Sequence, residues 1–146
     1  MTLLLAHILK ENILFLGVGN PMKGDDGVGP YIAKRIGGID VGTVPENFVS
    51  RINASEEDTI VVFDALEFGG VPGDVRIVDA NESEGVTFST HSLPLSKFSK
   101  FLELKTVWLV GIQPSVVEFA EGMSPDVTKS ADLIVEEISR WLGTNR

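Results

Sequence analysis

Cysteine is absent from the sequence, histidine occurs twice, and lysine and arginine together number 12 against 21 aspartates and glutamates. The missing thiols exclude disulfides, thiolate zinc sites, CxxC redox pairs and cysteine nucleophiles, which leaves oxygen and imidazole groups to carry any chemistry. The shortage of cations, at a formal net charge of −9, argues against a protein that tracks a nucleic-acid backbone. Long apolar runs are missing as well. Nowhere do about 18 consecutive apolar residues occur, so no membrane span is expected. The first eleven residues contain the apolar run Leu3 to Leu5 but no basic n-region, long h-region or A-x-A site. Secretion is not expected, and a cytoplasmic location is, in keeping with the lack of cysteine.

What is present suits one α/β domain spanning residues 1–146. With 43% hydrophobic residues the chain can bury roughly 68–70% of its unfolded surface without staples. Ile13 to Val18 and Ile60 to Phe63 are short, continuous apolar runs of the kind that form central parallel strands, and Val107 to Ile112 is a third apolar strand. Val41 to Val44 reads as a weak strand, and the alternation over Asp74 to Asp79 as an edge strand. Between them, helices are expected over residues 2–10, from Pro30 to a stop at Gly37-Gly38, from Pro45 to Ile52, from Pro94 to Leu102, and from Asp126 to Leu142. The third of these would carry Phe48 and Ile52 on its apolar face, the fourth Leu95, Phe98, Phe101 and Leu102. The last would turn Val127, Ala131, Ile134, Val135, Ile138 and Leu142 inward. Residues 80–93 read as an irregular loop. This alternation predicts a mostly parallel, twisted sheet of about five strands with helices on both faces, and ligands beyond the carboxyl ends of the strands.

The segment GVGNPMKGDDGVGP at 17–30 is a glycine-rich turn between the first strand and the first helix. Its spacing is neither G-x-G-x-x-G nor a P-loop, and Asp25 and Asp26 occupy the helix N-terminus where a phosphate would bind. Two carboxylates there repel anions and attract cations. Alternatively they are simply helix caps. Asp64 ends the second central strand and brings another carboxylate to the same sheet edge, while Glu67 in the following loop reads as solvated or rim-lining. His7 lies in the leading segment, where a surface role is the default. His91 lies in the polar loop Ser89-Thr90-His91-Ser92 before the helix at Pro94, where it can reach over the strand ends. Two carboxylates and one imidazole would make an O,O,N site for a divalent metal with open positions. Asp26 and Asp64 sharing a proton, as in an aspartic-protease dyad, is a further option. Ser89 and Ser92 read as turn residues, since no G-x-S-x-G elbow is present.

These segments, together with VPEN at 44–47, VVFDALEFG at 61–69, STHSLPL at 89–95 and GIQP at 111–114, resemble the nickel-iron hydrogenase maturation endopeptidases. The resemblance covers nearly the whole chain. It implies removal of the C-terminal extension from a hydrogenase large-subunit precursor, and it assigns the metal-contacting and catalytic residues to Asp26, Asp64 and His91. Only the resemblance selects Asp26 over Asp25. It also implies that no cofactor is permanently bound: nickel arrives with the substrate, and other divalent metals are able to occupy the site. The partner is then the nickel-loaded precursor, met by a protease that is a monomer when free. The Asp-Asp pair and the SLPL and GIQP segments look closer to the branch serving energy-converting or formate-hydrogenlyase-type hydrogenases. A non-catalytic metal- or ligand-binding module of the same fold is the alternative.

Overall fold

The computed structural model describes residues 4–89, 93–115 and 122–144. Its elements run β1 (Ile13–Val18), α1 (Val28–Ile36), β2 (Ile39–Gly42), α2 (Val49–Asn53), β3 (Thr59–Ala65), β4 (Val75–Asp79), α3 (Leu95–Phe101), β5 (Thr106–Ile112) and α4 (Pro125–Thr144). The strands form one sheet in the order β2-β1-β3-β5-β4. All neighbours are parallel except the edge strand β4, which runs antiparallel to β5. The expected α/β architecture is the one observed.

Because side chains alternate along a strand, the central strands feed two cores. Leu16, Val62 and Leu109 pack with Ile52 of α2 and with Leu95 and Phe98 of α3. Phe15, Val61, Phe63 and Val110 face the other way, onto Ile32 of α1 and onto Ala131 and Ile134 of α4. Burial on both faces is why β1, β3 and β5 read as unbroken apolar runs.

Several boundaries differ from expectation. The weak strand lies at Ile39–Gly42 rather than 41–44. The helix expected from Pro45 is split into a 3₁₀ turn, Pro45–Phe48, and the short α2. A 3₁₀ turn over Gly24–Gly27 leads directly into α1, which therefore begins two residues before Pro30. Phe101 is 41% exposed, so only Leu95, Phe98 and Leu102 of its predicted face are buried. In place of the leading helix, residues 4–10 make a single turn in which Ile8 and Leu9 both donate to the carbonyl of Leu5.

That turn is held by α4. Glu137, on a helix face otherwise built from aliphatic residues, accepts the backbone N–H of Leu4 at 2.9 Å and of Leu5 at 2.8 Å. Both oxygens serve donors that the short turn cannot satisfy itself, which makes burial of the carboxylate tolerable.

The first helix sits unusually close to the sheet. A Cβ on Gly17 would lie 2.2 Å from the carbonyl oxygen of Gly29, and one on Gly29 would lie 2.2 Å from that of Val18 and 2.5 Å from that of Phe63. The glycines of the loop motif therefore let backbone pack on backbone. Gly29→Ala is expected to cost about 3 kcal/mol or more in urea unfolding, since all three obstructing atoms are main chain. Glu137→Ala should lose about 1–3 kcal/mol by stranding the Leu4 and Leu5 amides, and Glu137→Gln, which keeps one acceptor, should lose less. Equal midpoints for the two Glu137 variants would contradict the bonding described.

Candidate active site

The carboxyl ends of β1, β3 and β5 open into a cleft of about 790 Å³ whose lining includes Asp26, Leu66, Phe68, Phe88, Ser89 and Ser115. Its position is the one expected for a doubly wound sheet, and its size suits a ligand or a peptide segment.

Asp25 and Asp26 share a 3₁₀ turn and both border the cleft, but their carboxylates are engaged differently. Asp25 is 5% exposed, and its carboxylate accepts the Ser115 N–H at 2.8 Å, the Ser124 N–H at 2.6 Å and the Ser124 hydroxyl at 2.9 Å. It ties the glycine-rich loop to the residues that follow β5 and precede α4. Asp26 is only half-buried, and its Oδ2 accepts the Asn20 N–H at 3.0 Å. The turn reaches this geometry because Gly19, at φ 150°, has no side chain: a Cβ there would stand 1.9 Å from the Asp26 carbonyl oxygen. Any other residue at position 19 would push Asp26 out of place.

Asp64 is the penultimate residue of β3, in register with Gly111 of β5. It is 1% exposed, and Ser89 binds both of its oxygens: the backbone N–H donates to Oδ2 at 2.9 Å and the hydroxyl to Oδ1 at 2.5 Å. Burial raises its pKa to about 8, the two Ser89 bonds oppose that rise, and the nearby Asp26 carboxylate adds to it. A carboxyl group that exchanges its proton near neutral pH beside a second carboxylate is a recurrent feature of functional sites.

His91 lies outside the described residues. Asp26 and Asp64 are brought to one site, and among the described residues no group of three His, Cys, Asp or Glu side chains is positioned to hold a metal. The two carboxylates are oxygen donors of the kind divalent cations accept.

Two residues of the site were not distinguished by the sequence reading. Ser89, read as a turn residue, is the direct partner of Asp64, although nothing local in the sequence marks a contact that spans 25 positions. Gln113, noted only within GIQP, is 3% exposed and organises one wall of the cleft. Its Oε1 accepts the Phe68 and Gly70 N–H groups, each at 3.0 Å, and its Nε2 donates to Glu67 and to the Pro114 carbonyl. Glu67, exposed and lining the cleft, is held below the usual carboxylate range by the Gln113 amide and then by the Gly69 N–H.

Comparison with known proteins points to one family. The model of the hydrogenase maturation protease family matches residues 32–141, a stretch that contains Asp64 and His91 and begins just after Asp26. The hydrogenase 3 maturation protease of Escherichia coli K12 is 30% identical over 141 residues, covering 89% of this chain and 90% of the relative. The crystal structure of the NiFe-hydrogenase maturation protease HycI from Thermococcus kodakarensis KOD1 superposes with a TM-score of 0.79 at 30% identity, covering 93% of this chain and 95% of that one. The hydrogenase-maturating endopeptidase HybD from E. coli, at 23% identity and a TM-score of 0.73 over 92% of this chain and 94% of that one, shares the fold. These matches agree with the resemblance carried by the motif segments: the chain belongs to the hydrogenase maturation protease family.

Proposed function

We propose that this protein is an endopeptidase that removes the C-terminal extension of a nickel-iron hydrogenase large-subunit precursor once nickel has been inserted. The observation that carries this reading is the pairing of a cleft-lining Asp26 with the buried Asp64 at the carboxyl end of the sheet. Two carboxylates held near one another are unfavourable in isolation, and a divalent cation relieves both their repulsion and the burial of Asp64. Nickel carried by the precursor would be recognised in this way, with His91 as a third ligand and the remaining positions filled by substrate thiolates. A precursor without nickel lacks the cation, and Asp64 then holds its proton in the buried site instead of ionising as a ligand.

In this reading, among the described residues, Asp26 keeps lone pairs beyond its bond from Asn20, and Asp64 keeps acceptor capacity beyond its bonds from Ser89 and the Ala65 N–H. These donors complete the coordination of the substrate nickel and hold the scissile bond in the cleft. A cation so placed can polarise the scissile carbonyl or acidify a bound water, and the carboxylates can accept the proton released. The enzyme needs no metal of its own. The free protein would be a monomer of the cytoplasm.

The test offers purified protein the nickel-loaded and nickel-free precursors. Cleavage of the loaded form alone is expected, and equal cleavage would remove the metal-recognition step. Asp26→Asn, Asp64→Asn and His91→Ala should each fold and lose at least about 100-fold in rate; wild-type processing by all three would sink the assignment.

Asp64 also makes a prediction about stability. Its folded pKa, about 8, lies above the ordinary value of 3.8, so the folded state holds the proton more tightly than the unfolded state does. Its stabilising contribution is complete below the unfolded value and is lost as pH rises through about 8. Asn at position 64 preserves the shape and cannot ionise. Urea unfolding between pH 5 and 9 should therefore show wild type losing stability relative to Asp64→Asn, with the variant ahead by a few kcal/mol at the alkaline end. Parallel pH curves for the two proteins would contradict the raised pKa.

A further inference from the structure

Ser89 lines the cleft and at the same time grips Asp64 through two separate groups, its backbone N–H on one carboxylate oxygen and its hydroxyl on the other. A carboxylate bonded on both oxygens cannot turn about its last torsion without breaking both bonds. Asp64 is 1% exposed, so solvent offers little replacement for either. Among the described residues Asp26 has no such two-sided grip: its side-chain bond comes from Asn20, and it stays half-exposed beside the cleft. The two acids are thus held to different tolerances, one by the loop beside it and one by a residue of the cleft wall.

We propose that Ser89 is a positioning residue of the reaction, fixing the plane of the Asp64 carboxylate and thereby the direction in which its remaining lone pairs meet the substrate. This rests on the endopeptidase reading and deepens it. Misplacing a reacting or coordinating group by a fraction of an ångström weakens the transition state, where alignment matters most, more than it weakens docking. A residue that merely pinned the 80–89 loop to β3 would behave differently. Its loss would lower the melting temperature or the folded fraction, and would leave turnover per folded molecule unchanged.

Two substitutions separate these roles. Ser89→Ala keeps the backbone N–H and deletes the hydroxyl, whereas Ser89→Thr keeps both donors, and the exposure of Ser89 leaves room for the added methyl. With the nickel-loaded precursor as substrate, Ser89→Ala is expected to lower kcat about 10–100-fold with KM changed less than about threefold, and Ser89→Thr to restore kcat to within about threefold of wild type. Wild-type kcat in Ser89→Ala, or equal losses in both variants, would overturn the proposal. An activity-independent readout accompanies the kinetics: the carboxyl ¹³C NMR signal of Asp64, identified by its loss in Asp64→Asn. It should move in Ser89→Ala and stay near its wild-type position in Ser89→Thr, and an unmoved signal in Ser89→Ala would refute the grip itself. Failure of the wild-type protein to cut the precursor would sink the endopeptidase reading instead, with the NMR comparison still deciding the grip.

Discussion

The approach of Gly29 to the main chain of β1 and β3 is the contact on which the site depends. With no side chain at Gly17 or Gly29, the start of α1 rests on the carbonyls of Val18 and Phe63. The 3₁₀ turn before it must then sit over the ends of the same two strands. One of those strands ends in the loop that carries Asp26, and the other carries Asp64. A helix standing one methyl group further out would separate the two carboxylates and open the cleft between them. Glycine in this loop therefore does the work of close packing, whereas in a phosphate-binding loop it would bare amides to an anion. The acids at the helix start make the local field unfavourable for a phosphate in any case.

The adjacent acids Asp25 and Asp26 divide two tasks that one carboxylate could not perform. Asp25 spends its lone pairs on Ser115 and Ser124 and is largely buried, which anchors the loop to the residues between β5 and α4. Asp26 keeps lone pairs for the cleft. The rigidity of the second residue is supplied by the burial of the first. Gln113 plays a comparable part beside the segment that follows β3, where a single buried amide accepts two backbone N–H groups and donates to Glu67. A cleft built this way mixes apolar side chains such as Leu66 and Phe88 with polar groups held in place by hydrogen bonds.

Much of the fold was legible in the chain. Runs such as Ile13 to Val18 and Ile60 to Phe63 are apolar because helices cover both sides of those strands, and that two-sided burial leaves a signal in consecutive residues. The long α4 was equally plain from its 3.6-residue apolar repeat. The leading segment misled because Leu5 and Ile8 are spaced as in a helix, while its regular structure amounts to a single turn whose first amides are capped from Glu137, more than 130 residues away. Helix periodicity records which face is buried, and one turn against a core satisfies it as well as three.

By itself the sequence determined the order of strands and helices, the sheet edge at which the acids collect, and the inventory of groups available for chemistry. Through the motif segments it also pointed to the family. These are properties of local pattern and composition, which the chain carries whether or not it is folded. Only the tertiary structure decided that Asp25 is spent on Ser115 and Ser124 while Asp26 stays half-exposed, that Ser89 grips Asp64, and that burial pushes the Asp64 pKa up to about 8. Each of those depends on the direction of a side chain or the exclusion of water by residues distant in sequence. Neither quantity exists until the sheet has closed beneath its helices.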